Sequence, residues 1–178
     1  MILSREFYQR DTVKVARDLL CKILFHKTPK GSTSGRIVEV EAYLVGDEKS
    51  HAFRGRTERN KVMFGEAGFA YVYQIYGVHH CLNVVTQKIG VPEAILIRAL
   101  EPLKGIELMK ERRGNSENLT NGPARLCQAM GIDLSFNGVD LTEGNLVILD
   151  SKRREKIYTS KRVGVGRDER FLRFFLKL

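Results

Sequence analysis

The segment Arg36-Ile37-Val38-Glu39-Val40-Glu41-Ala42-Tyr43 sets two carboxylates and an aromatic ring at alternate positions. The two-residue period of a strand puts Val38, Val40 and Ala42 on one face, with Ile37, Glu39, Glu41 and Tyr43 on the other. A carboxylate among apolar groups and few waters can activate a water, and the ring can stack a planar ligand. The same pattern also suits a solvated strand face with cross-strand salt bridges. Further on, Phe69-Ala70-Tyr71-Val72-Tyr73-Gln74-Ile75-Tyr76-Gly77-Val78-His79-His80-Cys81-Leu82-Asn83 reads as strand, tight turn, strand, with Gly77 supplying the turn's backbone freedom and Tyr76 at the tip. A large ring on a rigid tip suits insertion into a base stack, whereas the plainer reading is a surface tyrosine lying on its own sheet. Tyr71 and Tyr73 share a face with Phe69 and Ile75 and serve equally well as core.

Other chemistries are poorly supplied. His79 and His80 are adjacent, so a strand points them to opposite faces, and no His-x-x-x-His spacing or carboxylate partner motif accompanies them. Gly164-Val165-Gly166 lacks the third glycine and the strand-to-helix setting of a dinucleotide fingerprint, and no phosphate-binding Gly-x-x-x-x-Gly-Lys motif occurs. Neither a metal nor a cofactor is expected. Cys21, Cys81 and Cys127 are odd in number and far apart, which fits a reducing compartment better than a disulfide framework.

The elements that must position these groups are mostly strands. Strand signals fall at 36–43, 70–76, 80–86, 94–100, 146–150, 157–165 and 171–176. Helices are expected over 12–22 behind the cap residue Asp11, over 102–112 with Pro102 in the first turn, and over 124–130 between Pro123 and Gly131. Residues 114–122 read as a loop. With so few helices between strands, the pattern predicts an α+β fold: a single compact domain over residues 1–178, its curved, mainly antiparallel sheet flanked by helices.

The 178 residues are 43% hydrophobic and carry a formal charge of +9, with ten basic against three acidic residues from Ser151 onward. A localised basic surface suits a phosphate-bearing partner, and a merely solubilising face is the alternative. No apolar run approaches the roughly 20 residues of a membrane span, and the first residues lack a signal-peptide layout. A soluble, non-secreted protein is expected.

Taken together, Gly35 to Tyr43, Ser50-His51-Ala52, Arg59-Asn60, Tyr71 to Asn83, Ile95 to Leu103, and Leu119-Thr120-Asn121-Gly122-Pro123 with Leu126-Cys127-Gln128-Ala129 closely resemble the alkyladenine (3-methyladenine) DNA glycosylase family, in order and rough spacing. The resemblance spans about residues 5 to 175, although Glu58 stands where the family usually carries proline. It implies a fold similar to the C-terminal domain of formyltransferases, and a monomer that engages double-stranded DNA from the minor-groove side, in the cytoplasm near the nucleoid for a prokaryotic source. By the same matching, Glu41 is the general base for water, and Arg98 orients Glu41 and the lesion's phosphate. Tyr43, His51 and Tyr73 wall the flipped base, Asn83 disfavours guanine's exocyclic amine, and Tyr76 fills the vacated place in the helix.

The implied activity is monofunctional hydrolysis of the bond between sugar and damaged purine: 3-methyladenine, 7-methylguanine, hypoxanthine or ethenoadenine. Alkylation at N3 or N7 gives the base a positive charge, which strengthens stacking on tyrosine faces by about 0.5–2 kcal/mol, so Tyr43 and Tyr73 are expected to favour such bases. The rival reading is a non-catalytic nucleic-acid-binding module, for which basic residues and stacking aromatics suffice.

Overall fold

The structure, a computed structural model, describes residues 1–152 and 155–177. Its alternating apolar runs build one sheet from β1 (Ile23–Thr28), β2 (Gly31–Tyr43), β3 (Ala70–Ile75), β4 (His79–Thr86), β5 (Glu93–Lys104), β6 (Leu146–Leu149), β7 (Tyr158–Ser160) and β8 (Arg173–Phe175). The strand order is β3-β4-β5-β2-β1-β6, with β8 joining β2 to β7, and the pairings are antiparallel. The sheet curls into a half-barrel with few flanking helices, an α+β architecture. β2 is its hub. It pairs with β5 over most of its length, with β1 through its first half, and with β8 at Glu39, Val40 and Glu41.

Four helices flank the sheet: α1 (Arg5–Tyr8), α2 (Thr12–Leu19), α3 (Ile106–Arg112) and α4 (Pro123–Met130). The Asp11 side chain caps α2 by accepting from the Lys14 N–H, and Val15, Ala16 and Leu19 on its inner face are fully buried. α4 has Pro123 in its first turn and stops at Gly131, as its sequence requires, and packs against β4 and β5. The core joins these inner faces to Leu24, Ile37, Val40, Ile95 and Ile97 of the sheet. Each such side chain contributes about 1.5–3 kcal/mol by leaving water. Among the described residues, no helix is long and apolar enough to cross a membrane.

Several boundaries differ from expectation. The helix placed over 102–112 begins only at Ile106, because β5 runs on through Pro102, which pairs with Gly35 next to a register shift. The switch to helix comes at Gly105, whose φ of 76° and closeness to the Ser32 carbonyl exclude a side chain: a Cβ there would lie 2.3 Å from that oxygen. β1 carries no strong strand signal of its own and is fixed by pairing with β2 and β6. The helix expected to reach residue 22 ends at Leu19, since Cys21 turns the chain with a φ of 72°. The strand expected over 157–165 shortens to β7, and that over 171–176 to β8, with bends between them.

Candidate active site

Two bulges at the centre of the sheet assemble the charged core of the site. Ile37 pairs with Leu100 and Glu39 with Ala99, so Val38 is the extra residue on β2; Glu39 pairs with Ala99 and Val40 with Ile97, so Arg98 is the extra residue on β5. Bulges re-aim side chains. As a result Ile37, expected on the carboxylate face, is buried in the main core instead. Glu39 and Glu41 do share a face, bridged by Arg98, whose Nε donates to Glu39 Oε1 at 3.0 Å and whose Nη1 donates to Glu41 Oε2 at 3.4 Å. Arg173 of β8 donates to the same Glu39 oxygen at 2.7 Å.

Glu41 is 0% exposed. Its charge is compensated by Arg98, by the Tyr43 hydroxyl donating to Oε2 at 3.0 Å, and by the Val163 backbone N–H donating to Oε1 at 2.7 Å. Burial, with Glu41 close by, raises the Tyr43 pKa well above the ordinary phenol value, so this hydroxyl stays a donor. Glu41 lies just beneath a cleft of about 450 Å³ without lining it; Tyr43, Arg98 and Val163 all do. A buried carboxylate is thereby presented to the cleft behind a screen of its own hydrogen-bond donors.

The cleft walls are aromatic. Tyr71 and Tyr73 lie with ring centroids 5.5 Å apart, and His51 meets Tyr73 edge-on at 4.4 Å and shares a 2.9 Å hydrogen bond between Nδ1 and the Tyr71 hydroxyl. Burial pushes the Tyr71 hydroxyl up to about 12 and lifts Tyr73 further, while burial and then Arg59 lower the His51 pKa. At neutral pH the wall is therefore uncharged. On the cleft floor, Asn83 donates from Nδ2 to the Tyr71 carbonyl at 3.0 Å, and Cys81 lines the cleft opposite Tyr73 in the β3–β4 pairing. Tyr43, His51, Tyr73, Asn83, Arg98 and Tyr76 all line this one cleft.

Tyr76 stands at the β3–β4 tip, 88% exposed. The two tip residues Tyr76 and Gly77 both have left-handed φ, 51° and 71°, which matches the twist of a tight hairpin and suits glycine far better than tyrosine. The loop following Ala52 carries exposed Arg54, Arg56 and Arg59, none in an ion pair among the described residues, and Arg59 reaches the hairpin by donating to the Gln74 carbonyl at 3.4 Å. Buried Asn60 pins that loop by donating to the His51 and Gly55 carbonyls, each at 2.9 Å. Lys49 also lines the cleft, so a primary amine is present there.

A family model described as "Methylpurine-DNA glycosylase (MPG)" matches residues 6–178. The chain belongs to the methylpurine-DNA glycosylase family. Its relatives in that family include proteins named "Putative 3-methyladenine DNA glycosylase" from Methanoculleus marisnigri, 49% identical over 99% of this chain and 96% of the relative, and from Carboxydothermus hydrogenoformans, 47% identical over 99% and 96%. One of the same name from Clostridium novyi is 45% identical over 98% of this chain and 94% of its own length.

In this member of the methylpurine-DNA glycosylase family, the charge-rich C-terminal stretch behaves differently from its sequence. Arg162 is buried, and it donates to Asp47 at 2.5 Å, to Asp168 at 2.7 Å and to the Ala42 carbonyl at 3.0 Å, while its guanidinium lies 4.6 Å from the Tyr43 ring centroid. Arg170 pairs with Asp47 and Asp168, Arg173 with Glu39, and Lys161 with Glu169. Much of the expected basic patch is thus internal scaffolding for the loop that carries Val163; Arg153 and Arg154 lie outside the described residues. Sequence reasoning missed Val163 as a donor, because a backbone N–H leaves no mark on residue type. It also missed the arginine loop, although Arg54-Gly55-Arg56 was legible as a basic turn.

Proposed function

We propose that this chain is a base-excision repair DNA glycosylase that flips alkylated or deaminated purines from duplex DNA and hydrolyses their bond to the sugar. The observation that carries this reading is the buried Glu41 carboxylate, held by Tyr43, Arg98 and Val163 directly beneath an aromatic cleft. A purine seated between the rings would bring its sugar C1′ toward that carboxylate. Breaking the N-glycosidic bond places positive charge on the sugar, which a fixed carboxylate stabilises while it accepts a proton from the attacking water. Arg98 holds Glu41 from the cleft side and has further N–H groups free to meet a phosphate.

Flipping costs a few kcal/mol of stacking and pairing, less at a lesion that already disturbs its pair. Tyr76 on its rigid tip would fill the gap and offset part of that cost, and Arg54, Arg56 and Lys49 supply positive charge for the flanking backbone. Asn83 on the floor would crowd an amine at purine C2.

The test is mass spectrometry of bases released from methylated and deaminated duplexes. Release of damaged purines, lost in Glu41→Gln, supports the reading. Tight lesion binding with no released base would return the protein to a non-catalytic binding module.

A further inference from the structure

The rings that wall the cleft are not electrostatically alone. Arg59 places its guanidinium carbon 5.6 Å from the Tyr73 ring centroid, and Arg162 stands 4.6 Å from that of Tyr43. Tyr43 and Tyr73 line the cleft, and neither arginine does, so each guanidinium sits outside the space a base would occupy.

The two are not equivalent. Arg162 is balanced by Asp47 and Asp168, and Arg98 on the lining by Glu39 and Glu41. Arg59 has no carboxylate partner among the described residues, and its guanidinium donates a 3.4 Å hydrogen bond to the Gln74 carbonyl. Lys49, likewise without an ion pair among the described residues, faces the same cleft. The field of Arg59 reaches the cage: after burial, it is the next influence on both His51 and Tyr71.

From this arrangement we infer that Arg59 biases the base cage toward neutral purine lesions, such as hypoxanthine or ethenoadenine, and against purines made cationic by alkylation. The inference rests on the chain's being a purine glycosylase and concerns which lesions that site prefers. Tyrosine faces alone favour a cationic base. An unbalanced guanidinium behind one of them opposes that preference, since like charges repel over the roughly 9 Å obtained by adding a stacking separation of about 3.5–4 Å.

The chemistry separates this effect from a general contribution to rate. When the bond between C1′ and the base nitrogen breaks, its electron pair goes to the base: a cationic purine leaves neutral, and a neutral purine leaves as an anion. A nearby cation assists both departures equally. It differs only in the ground state, where it disfavours entry of the cationic base and not of the neutral one, so kcat/KM of the neutral lesion alone benefits.

The experiment compares single-turnover kcat/KM on duplexes of identical flanking sequence carrying either hypoxanthine or 7-methylguanine, for the wild type, Arg59→Gln and Arg59→Lys. In Arg59→Gln the ratio of 7-methylguanine to hypoxanthine excision should rise about three- to tenfold, the span of a unit charge at that separation in a partly solvated site. Arg59→Lys, which keeps the charge, should stay within about twofold of the wild-type ratio. Equal losses on both lesions in Arg59→Gln would mean that Arg59 only holds DNA phosphate, and would overturn the inference while leaving the glycosylase reading intact. Excision of neither lesion by the wild type would instead overturn the reading on which it rests.

Discussion

At the scale of single residues, Glu41 and Glu39 are two carboxylates two positions apart with different surroundings. Glu41 is sealed under Tyr43 and Val163, whereas Glu39 is tied to Arg98 and Arg173. Glu41→Gln keeps size but removes the charge that, in the proposed mechanism, accepts the proton and faces the sugar cation. Single-turnover excision should fall at least about 100-fold, the low end for loss of a general base, with binding to an abasic-site analogue nearly unchanged. Glu39→Gln loosens Arg98 without removing the base, so its loss should be smaller, about three- to tenfold, and excision assays on both variants check the order. The pairing of these carboxylates on one face was legible from strand alternation. Which of them is sealed was not, because a bulge at Val38, a bulge at Arg98 and a backbone N–H from position 163 decide it. The amine of Lys49 makes a further test direct. A monofunctional enzyme should give no covalent DNA adduct on borohydride reduction, and an adduct lost in Lys49→Gln would show lyase chemistry.

At the scale of elements, the β3–β4 hairpin and the loop between β7 and β8 do separate jobs. Tyr76 is exposed and packs into nothing, so Tyr76→Ala should leave thermal unfolding within about 0.5 kcal/mol of wild type, as surface substitutions do, while weakening affinity for lesion and abasic duplexes. Unchanged affinity would make it an ordinary surface ring. The loop is held by Arg162 between Asp47 and Asp168. Burial is the largest single influence and works to raise both carboxyls, but hydrogen bonds from Arg162, from Arg170 and from backbone N–H groups, with the Arg162 charge, together outweigh it and hold them below the ordinary carboxylate range, Asp168 at about 2. A carboxyl depressed by folding contributes stability above its unfolded pKa, near 4, and loses that contribution as pH falls toward its folded value. Urea midpoints of wild type and Asp168→Asn should therefore differ most above about pH 4 and converge toward pH 2. The hairpin tip could be read from Tyr76-Gly77. The helix misplaced at Pro102 could not, because pairing with Gly35 overrides the local preference of proline for a helix start.

At the scale of the whole molecule, the excess of basic charge was legible, but its disposition was not, since Arg162, Arg170 and Arg173 spend theirs on internal carboxylates. Positive charge outside any ion pair among the described residues is carried by Lys49 on the cleft lining and by the loop bearing Arg54, Arg56 and Arg59. Affinity for undamaged duplex should fall steeply between about 50 and 200 mM salt, and substitution of Arg54 and Arg56 together by Gln should flatten the slope by about two units. A slope unchanged by that substitution would place the DNA elsewhere. The hub position of β2 bears on time as well as on space. Glu41 receives the Val163 N–H from 122 positions further along the chain, and the β8 pairing comes later still. At about 5–20 residues per second, a ribosome needs on the order of ten seconds after adding Glu41 before it makes the donor that completes the carboxylate's setting. A nascent chain can thus expose the tyrosine hairpin well before the buried carboxylate receives its full set of donors.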